Sequence, residues 1–333
     1  MLLPGPSGCF DANASAGTGL PSDSTPKKIQ LPPICNGVPI LPTMKRSILL
    51  AASLLATIST LTTALAVGTG ASFEGPIGLQ LYSLRGIFTR SLPDGIAQAA
   101  KFGIHDVELA GLYNQTPDKL RQMLTAAGLN PVSGHVSYER LTQDTEAVAQ
   151  EAKALGLKYI GTAWIPHKGS FDAAQAHAAA AALNHAGEIL AKSGIRCFDH
   201  CHGYEFEPGA AGPDTLAMDI LLKETNPKFV TFQMDILWIT YPGQDPATWL
   251  AKYPGRWELI HLKDLKKGVE TGKHTGGTDP NNDVALGTGQ MNWPKILKAA
   301  KASGVKYYFI EDESASSVEQ IPQTLKFLEQ VKF

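Results

Sequence analysis

One unit recurs along this sequence: an alanine-rich amphipathic segment, a glycine, and then a short apolar run. The glycines of these units are Gly103, Gly128, Gly156, Gly194, Gly255 and Gly304. Glycine just past a helix adopts a left-handed backbone that other residues resist, so each glycine predicts the end of a helix before a strand. Strict alternation of strands and helices predicts a parallel sheet with right-handed crossovers.

The number of repeats distinguishes between two parallel architectures. Strand-like runs at 77–82 and 229–235 bring the predicted strands to eight. Helical patterns lie between them, near 92–102, 117–127, 143–155, 171–193, 214–225, 246–252, 294–303 and 316–331. Eight repeats over about 260 residues fit a single-domain (β/α)8 TIM barrel better than an open doubly wound sheet.

The N-terminal segment requires a separate interpretation. Residues 1–43 are rich in Pro, Gly and Ser without clear periodicity, which predicts an unstructured leader and makes Met44 a more natural start. Two basic residues, a short apolar stretch and an Ala-Leu-Ala sequence ending at Ala66 then predict a secretory signal peptide over 44–66. Ser and Thr interrupt the apolar stretch, which disfavours a stable membrane span. We therefore expect a domain at 67–333 that is exported, to the periplasm.

Composition limits the classes of partner. The chain has 333 residues, of which 44% are apolar and 18% charged, and its formal net charge is -2. It can bury a large core, and it lacks the basic excess of a nucleic-acid-binding protein. We expect no nucleic-acid partner and no stable membrane span, while a homo-oligomer is compatible with the sequence.

Four side chains that suit a divalent cation lie near the ends of four strand-like runs: His200, Asp235, His261 and Glu311. Counted from the glycine before each strand, His200 and His261 are six residues on and Glu311 is seven. Strands that start from one rim of a barrel should therefore deliver these side chains to the other rim, where active sites of this fold lie. Mixed nitrogen and oxygen ligands suit Mn²⁺, Zn²⁺, Co²⁺ or Mg²⁺. Taken singly, a His at a strand end could instead be a hydrogen-bonded structural residue, and an Asp at a strand end could cap the following helix.

Further side chains near predicted strand ends are candidates for substrate binding. They are Tyr82, Glu108, His135, Trp164, His202 and Trp238. The acid and the imidazoles could bind sugar hydroxyls or form structural hydrogen bonds, and the aromatic rings could stack on a sugar or pack in the core. The long polar, glycine-rich segment 266–292 predicts a lid over the barrel mouth, with Lys273 and His274 as substrate contacts.

Several segments carry a resemblance to a known family. They read GLQLYSLR (78–85), HDVELAG (105–111), HCHGYEF (200–206), PGR (254–256), HLKD (261–264) and LGTG (286–289). From about residue 76 to residue 333 the chain resembles the sugar phosphate isomerase/epimerase family. These xylose isomerase-like barrels include D-tagatose 3-epimerase, inosose dehydratase and endonuclease IV.

The resemblance implies a divalent metal held by strands five to eight. Asp235, His261 and Glu311 match the Asp, His and Glu of the family on strands six, seven and eight. His200 stands where many family epimerases have a Glu, and those epimerases use two Glu residues on opposite faces of the sugar. A subgroup with His-x-His followed by an acidic residue is closer to this chain. In that pattern Glu205 is a ligand or base, or else a surface residue.

Three functions remain as hypotheses. The first is a sugar isomerase or epimerase that abstracts a proton beside a carbonyl, with Glu311 or Glu205 as base and a cation stabilising the enediolate. In it Lys263 would neutralise a developing oxyanion, the alternative being an ordinary solvated Lys. The second is a lyase that dehydrates or cleaves an oxidised sugar or 3-keto-glycoside, favoured by His200 and by the signal peptide. The third is a non-catalytic sugar-binding barrel. A nuclease is disfavoured because the chain is not basic.

Overall fold

Eight parallel strands close into a barrel in the computed structural model, which describes residues 66–333. The strands in chain order are β1 (Ile77–Gln80), β2 (Asp106–Leu109), β3 (Asn130–His135), β4 (Tyr159–Thr162), β5 (Arg196–His200), β6 (Val230–Asp235), β7 (Trp257–Leu262), β8 (Asp264–Leu265), β9 (Asp283–Val284) and β10 (Tyr307–Ile310). β8 and β9 form a small antiparallel pair, and the other strands form the barrel, which closes between β10 and β1. The predicted (β/α)8 barrel is confirmed. The leader predicted over 1–43 and all but the last residue of the predicted signal peptide lie outside the described part.

Helices follow the barrel strands as the sequence predicts. They are α1 (Arg85–Phe88), α2 (Leu92–Lys101), α3 (Pro117–Ala126), α4 (Tyr138–Gln143), α5 (Thr145–Leu155), α6 (Ala173–Ala191), α7 (Ala217–Glu224), α8 (Ile236–Thr240), α9 (Pro246–Lys252), α10 (Trp293–Ser303) and α11 (Ser317–Gln330). Short 3₁₀ turns lie at Leu81–Leu84, Tyr204–Phe206 and Pro280–Asn282. The helices α1, α4 and α8 were not predicted, because four to six residues are too few to show a helical period. Within residues 66–333, no helix has the length and hydropathy needed to cross a membrane.

The glycine of each repeat has the backbone that the pattern requires. All six have φ between 73° and 84°, in the left-handed region. Gly156 directly caps α5 and Gly304 directly caps α10, and their N–H groups bond carbonyls of the last helical turn. The repeat therefore sets where each helix stops and the next barrel strand begins.

An apolar layer fills the lower part of the barrel, below its carboxyl-terminal mouth. Its buried members are Val132, Tyr159, Phe198, Leu259 and Phe309. Side chains two residues apart on a strand share a face, so Phe198, Leu259 and Phe309 lie one step below His200, His261 and Glu311. The polar side chains at the mouth therefore lie directly above an apolar layer, and its low dielectric strengthens the electrostatic interactions between them.

Candidate active site

Three side chains bring ligand atoms together at the carboxyl end of the barrel. Asp235 ends β6 and is paired in register with His261 of β7, while Glu311 directly follows β10. One ligand atom of each residue lies within 4.8 Å of the other two. His261 Nδ1 is 2.9 Å from Glu311 Oε2 and 3.8 Å from Asp235 Oδ2. We call Asp235, His261 and Glu311 the metal triad.

The residues of the metal triad fit a divalent cation. Asp235 Oδ1 accepts the N–H of Trp238 at 3.0 Å, but its Oδ2 is buried and accepts no hydrogen bond. This oxygen lies 3.2 Å from the Lys263 ammonium, and its second lone pair could bind a cation. Two carboxylates and an imidazole are also a donor set that Mn²⁺, Zn²⁺, Co²⁺ and Mg²⁺ accept.

His200 lies beside the metal triad in a second group of potential ligands. That group contains His135, His200 and His261, so the two groups share His261. The ring centroids of His200 and His261 are 4.7 Å apart. Burial, and then the neighbouring imidazoles of His261 and His202, lower the pKa of His200 well below its usual value. The ring is therefore neutral, which is the form that binds metals.

Gln233, inside the barrel on β6, fixes the tautomer of His200. Its Nε2 donates to Glu108 Oε2 at 2.8 Å, so its Oε1 is the acceptor for His135 Nε2 and His200 Nδ1, both at 2.9 Å. Since both imidazole nitrogens donate to Gln233, the neutral His200 carries its lone pair on Nε2. The sequence interpretation missed Gln233, although it lies two residues before Asp235 and so shares its inward face.

Glu108 of β2 lies fully buried among protein donors. Its carboxylate accepts from Gln80 Nε2, Ser133 Oγ, Gln233 Nε2 and His261 Nε2 at 2.5–2.8 Å. Burial alone would raise the pKa of Glu108, but the imidazoles of His135 and His261 outweigh it and lower the pKa well below its usual value. The structure thus places Glu108 where it orients His261, with His135 alongside at 3.3 Å.

His261 lies between two carboxylates. Its Nε2 is 2.5 Å from Glu108 Oε1, and its Nδ1 is 2.9 Å from Glu311 Oε2. Burial lowers the pKa of His261, but Glu311 and Glu108 together raise it well above its usual value. Both nitrogens therefore carry protons when no metal is bound. A cation that uses Nδ1 must displace one of these protons.

Lys263 is a buried cation in contact with the metal triad. Its side chain is 1% exposed, and its Nζ lies 3.2 Å from Asp235 Oδ2, 2.7 Å from Glu311 Oε2 and 2.6 Å from Glu313 Oε1. Burial would lower the pKa of Lys263, but these three carboxylates raise it well above its usual value. The alternative interpretation of Lys263 as an ordinary lysine exposed to solvent is therefore wrong. Glu313, which the sequence interpretation missed, follows β10 outside a regular strand, where no period predicts its direction.

Aromatic side chains form part of the rim of the mouth. Among the large hydrophobic residues of 66–333, the exposed ones are Trp164, at 40%, and Tyr82. The Trp164 ring contacts Tyr204 and His202, with centroids 4.7 and 5.5 Å away. Trp238 is instead buried and stacks on His202 at 4.7 Å. The Trp238 ring is therefore covered by packing. Trp164 and Tyr82 stay partly exposed, with His167 stacked on Trp164 at 5.2 Å and the Arg85 guanidinium 4.7 Å from the Tyr82 ring centroid.

Glu205 is buried in the turn after β5, so the surface alternative for it is wrong. Its carboxylate accepts the backbone N–H of His202 at 2.9 and 3.2 Å. Burial raises the pKa of Glu205 to about 7, against the opposing effect of these backbone donors. Asp199 is also fully buried, and burial together with the charge of Glu205 raises its pKa well above the usual value. These two carboxyl groups interact electrostatically behind β5.

The segment 266–292, predicted as a lid, reaches the rim. A Cβ on Gly276 would stand 2.7 Å from the Trp164 ring, which shows how closely the segment approaches it. Lys273 is exposed and its backbone N–H bonds the Tyr241 carbonyl at 3.2 Å. His274 is partly buried, and its Nε2 has no hydrogen-bond partner.

Comparisons with known proteins agree with this architecture. A family model described as a xylose isomerase-like TIM barrel matches residues 96–331. The inosose dehydratase of Geobacillus kaustophilus (strain HTA426) is 23% identical over 198 residues, which are 52% of this chain and 62% of that relative, less than two thirds of its length. A solved sugar phosphate isomerase/epimerase from Parabacteroides distasonis ATCC 8503 has 26% identity and a TM-score of 0.62, over 76% of this chain and 93% of that one. A solved IolI protein with a bound zinc atom has 13% identity and a TM-score of 0.57, over 76% and 95% of the two chains. This chain belongs to the xylose isomerase-like TIM barrel family.

Proposed function

We propose that this protein is a divalent-metal-dependent lyase that removes water from a polyhydroxylated ketone, an oxidised sugar or cyclitol. The observation that carries the proposal is the contact of the buried Lys263 ammonium with Glu313 at 2.6 Å. It places a proton donor next to a carboxylate at the edge of the metal triad. Removing a proton from carbon and expelling a hydroxyl requires such a pair of base and acid.

In the proposed elimination, one residue removes a proton from carbon and another protonates the departing oxygen. The Glu313 carboxylate is 26% exposed at the mouth and takes the proton from the carbon beside the ketone. The electrons of that C–H bond form a C=C bond as the C–O bond of the neighbouring hydroxyl breaks. Lys263 gives a proton to the departing oxygen, which leaves as water. The Lys263–Glu313 contact then lets the proton on Glu313 return to Lys263, so the pair is restored.

The metal triad and the residues beneath it support this step. A divalent cation, when bound there, supplies a positive charge that stabilises the anion formed by proton removal. Asp235, His261 and Glu311 would hold it, with His200 Nε2 available beside them. Glu311 is buried between His261 and Lys263, and Glu205 is buried in the turn after β5, whereas Glu313 is 26% exposed at the mouth. We therefore assign the base to Glu313 rather than to Glu311 or Glu205.

Loss of water is favoured over epimerisation by the residue on β5. Epimerases of this family use two Glu residues on opposite faces, and here His200 occupies one of those positions. The inosose dehydratase relative supports the same choice. An epimerase remains the second candidate, since the similar solved protein from P. distasonis is a sugar phosphate isomerase/epimerase.

The test is product analysis in deuterated water. Protein loaded separately with Mn²⁺, Co²⁺, Zn²⁺ or Mg²⁺ is incubated with 2-keto-myo-inositol and with 3-ketoglucosides, and products are followed by mass spectrometry and NMR. We expect loss of one water, and a fall in kcat of about 10²- to 10⁴-fold in Lys263→Met. Lys295→Met, which removes a lysine from a partly exposed ion pair, is the control. A product that retains its oxygen and gains deuterium identifies an epimerase, and binding without turnover identifies a sugar-binding barrel.

We also propose that the protein acts outside the cytoplasm, on a non-phosphorylated substrate. The support is the signal-like sequence at 44–66. N-terminal sequencing of the protein from the periplasmic fraction should give Val67 as the first residue. Recovery from the cytoplasm with the apolar stretch retained would contradict export.

A further inference from the structure

We propose that a small cavity beneath the lid segment is a subsite for one hydroxyl group of the substrate, held by the indole N–H of Trp238 and the carboxylate of Asp283. The inference deepens the proposed function, because it assigns to the same mouth two residues that select a polyol. Trp238 follows β6 in α8, and Asp283 begins β9 at the end of the lid.

The size of the cavity suits a hydroxyl group rather than a ring. Its volume for water-sized groups is about 30 Å³, and its walls include Trp238, Lys263, Asp283, Glu313 and the lid residues 278–280. A single water needs roughly 10–15 Å³ by this kind of measure, so the space holds one or two such groups. A sugar or cyclitol ring must therefore lie outside, with one substituent entering.

Two buried polar atoms on the cavity-lining residues have no partner in the protein. Trp238 is 4% exposed and its Nε1 donates to no acceptor. Asp283 is 3% exposed, and although one oxygen accepts the Glu313 N–H at 2.8 Å, its Oδ1 has no partner. Leaving a buried donor or acceptor unsatisfied costs about 1–3 kcal/mol. A hydroxyl both donates and accepts, so one hydroxyl could satisfy both atoms.

The position of the subsite links it to the reaction. Lys263 and Glu313, the proposed acid and base, line the same cavity. A hydroxyl held there places its ring against the acid–base pair and the metal triad. Asp283 at the end of the lid and Trp238 on α8 line the cavity together, and the pairing of β9 with β8 holds Asp283 in place. The subsite therefore selects a ring with several hydroxyl groups, one of them projecting beyond the reacting carbons.

Equilibrium binding tests the subsite without requiring turnover. Calorimetry measures the affinity of the metal-loaded full chain for myo-inositol, a polyol with no ketone, and for a panel of its monodeoxy analogues. Trp238→Phe removes the N–H, and Asp283→Asn replaces the unpaired oxygen with an NH2 group while the amide oxygen can still accept the Glu313 N–H. We expect each variant to bind myo-inositol about 3- to 10-fold more weakly, as the loss of one hydrogen bond predicts.

Matched controls separate a subsite from a general effect on the fold. Trp257→Phe removes another buried indole N–H that has no partner, at the start of β7, and Glu270→Gln removes an exposed lid carboxylate. Both should bind as the wild type does. At least one deoxy analogue should bind the wild type more weakly than myo-inositol does, and this difference should vanish in Trp238→Phe and Asp283→Asn.

Two results would overturn the subsite. One is unchanged affinity in both variants, with thermal unfolding showing that they are folded, which would mean that only water occupies the cavity. The other is no polyol binding by the wild type. Failure of the proposed lyase function gives a different result. An epimerase would show the same polyol binding in the wild type and the two variants, but its product would keep the hydroxyl oxygen that a lyase removes as water.

Discussion

Lys263 Nζ lies 2.7 Å from Glu311 Oε2, so a buried ammonium contacts an oxygen that the metal triad offers to a cation. The same ammonium is 3.2 Å from Asp235 Oδ2, the triad oxygen that accepts no hydrogen bond. Lys263 therefore contacts both carboxylates of the triad that would hold a metal. Lys263 therefore keeps a positive charge at the mouth, beside the residues that would hold a metal.

Removing Lys263 should destabilise the protein much more than removing a surface lysine. In Lys263→Met, Asp235, Glu311 and Glu313 lose their shared cation inside the protein. Breaking a buried ion pair by deleting one partner costs about 3–5 kcal/mol. We expect the free energy of unfolding, measured by urea denaturation of the metal-free protein, to fall by this amount.

The control for this variant is Lys295→Met. Lys295 Nζ lies 2.5 Å from Asp245 Oδ2, but both side chains are substantially exposed. Such pairs contribute about 0–1 kcal/mol. Adding Mn²⁺ should then restore more stability to Lys263→Met than to the wild type, because the metal replaces the missing charge. Equal losses in the two variants would show that the Lys263 cluster contributes no more than a surface pair.

Asp235→Asn should abolish tight metal binding while leaving the fold intact. Asparagine can still cap α8 by accepting the Trp238 N–H, so the local helix start is kept. The charged oxygen facing His261 is lost. Removing a residue that hydrogen-bonds to a metal ligand already lowers metal affinity by about 10- to 100-fold. Asp235 is itself a proposed ligand, so we expect the affinity for Zn²⁺ and Mn²⁺ to fall by at least about 100-fold in titration calorimetry.

The matched variant is Asp245→Asn, which changes the N-cap of α9 away from the triad. Its side chain accepts the Ala247 N–H at 3.1 Å, as Asp235 does for Trp238. Metal affinity should not change in it. If Asp235→Asn also binds metal with wild-type affinity, the cation does not use the triad.

Glu205 should make stability depend on pH. The folded pKa of Glu205, about 7, is raised from an ordinary value of 4.5. The folded state therefore holds this proton more tightly than the unfolded chain does. Stability is full below the unfolded pKa, falls as pH rises towards 7, and stays reduced above it. The shift corresponds to about 3 kcal/mol, at 1.36 kcal/mol per unit.

Glu205→Gln tests this dependence, because an amide cannot ionise but can still accept the His202 N–H. Relative to the wild type, the variant should gain about 3 kcal/mol more unfolding free energy near pH 8 than near pH 4. Glu207→Gln is the control, since Glu207 is partly exposed and accepts from Ser170 at 2.9 Å. The same difference between variant and wild type at both pH values would mean that Glu205 ionises normally.

The barrel could be predicted because its signals are local. A left-handed glycine after a helix needs no distant partner, and the spacing from that glycine places His200, His261 and Glu311 at one rim. Asp235 follows because β6 and β7 pair in register, with Asp235 opposite His261. The metal triad therefore depends both on strand periodicity and on the pairing of β6 with β7, whose register shifts between Phe232 and Gln233.

Other buried polar groups depend on turns and on tertiary contacts. Glu205 is buried behind β5 because the chain turns at Gly203, where φ is 94°, and its carboxylate returns to the His202 N–H. The end of the lid is fixed by Asp264, whose carboxylate accepts the N–H groups of Gly287 and Gly289 at 2.9 and 3.1 Å. No short sequence pattern specifies such bonds between residues more than 20 positions apart, so Asp283 and its cavity could not be predicted.

Trp164 should contribute to substrate affinity and little to folding. One face of its ring stacks on His167, and the side chain is 40% exposed at the rim, so a sugar or cyclitol ring can stack on the other face. Stacking of this kind contributes about 0.5–1.5 kcal/mol, which corresponds to a rise in KM of about 2- to 10-fold in Trp164→Ala. We expect kcat and the unfolding temperature to change little, since neither the metal triad nor Lys263 is altered. Trp164→Phe keeps an aromatic face and should recover most of the affinity. If the Phe and Ala variants share one raised KM, Trp164 acts through its contact with Gly276 and the lid instead.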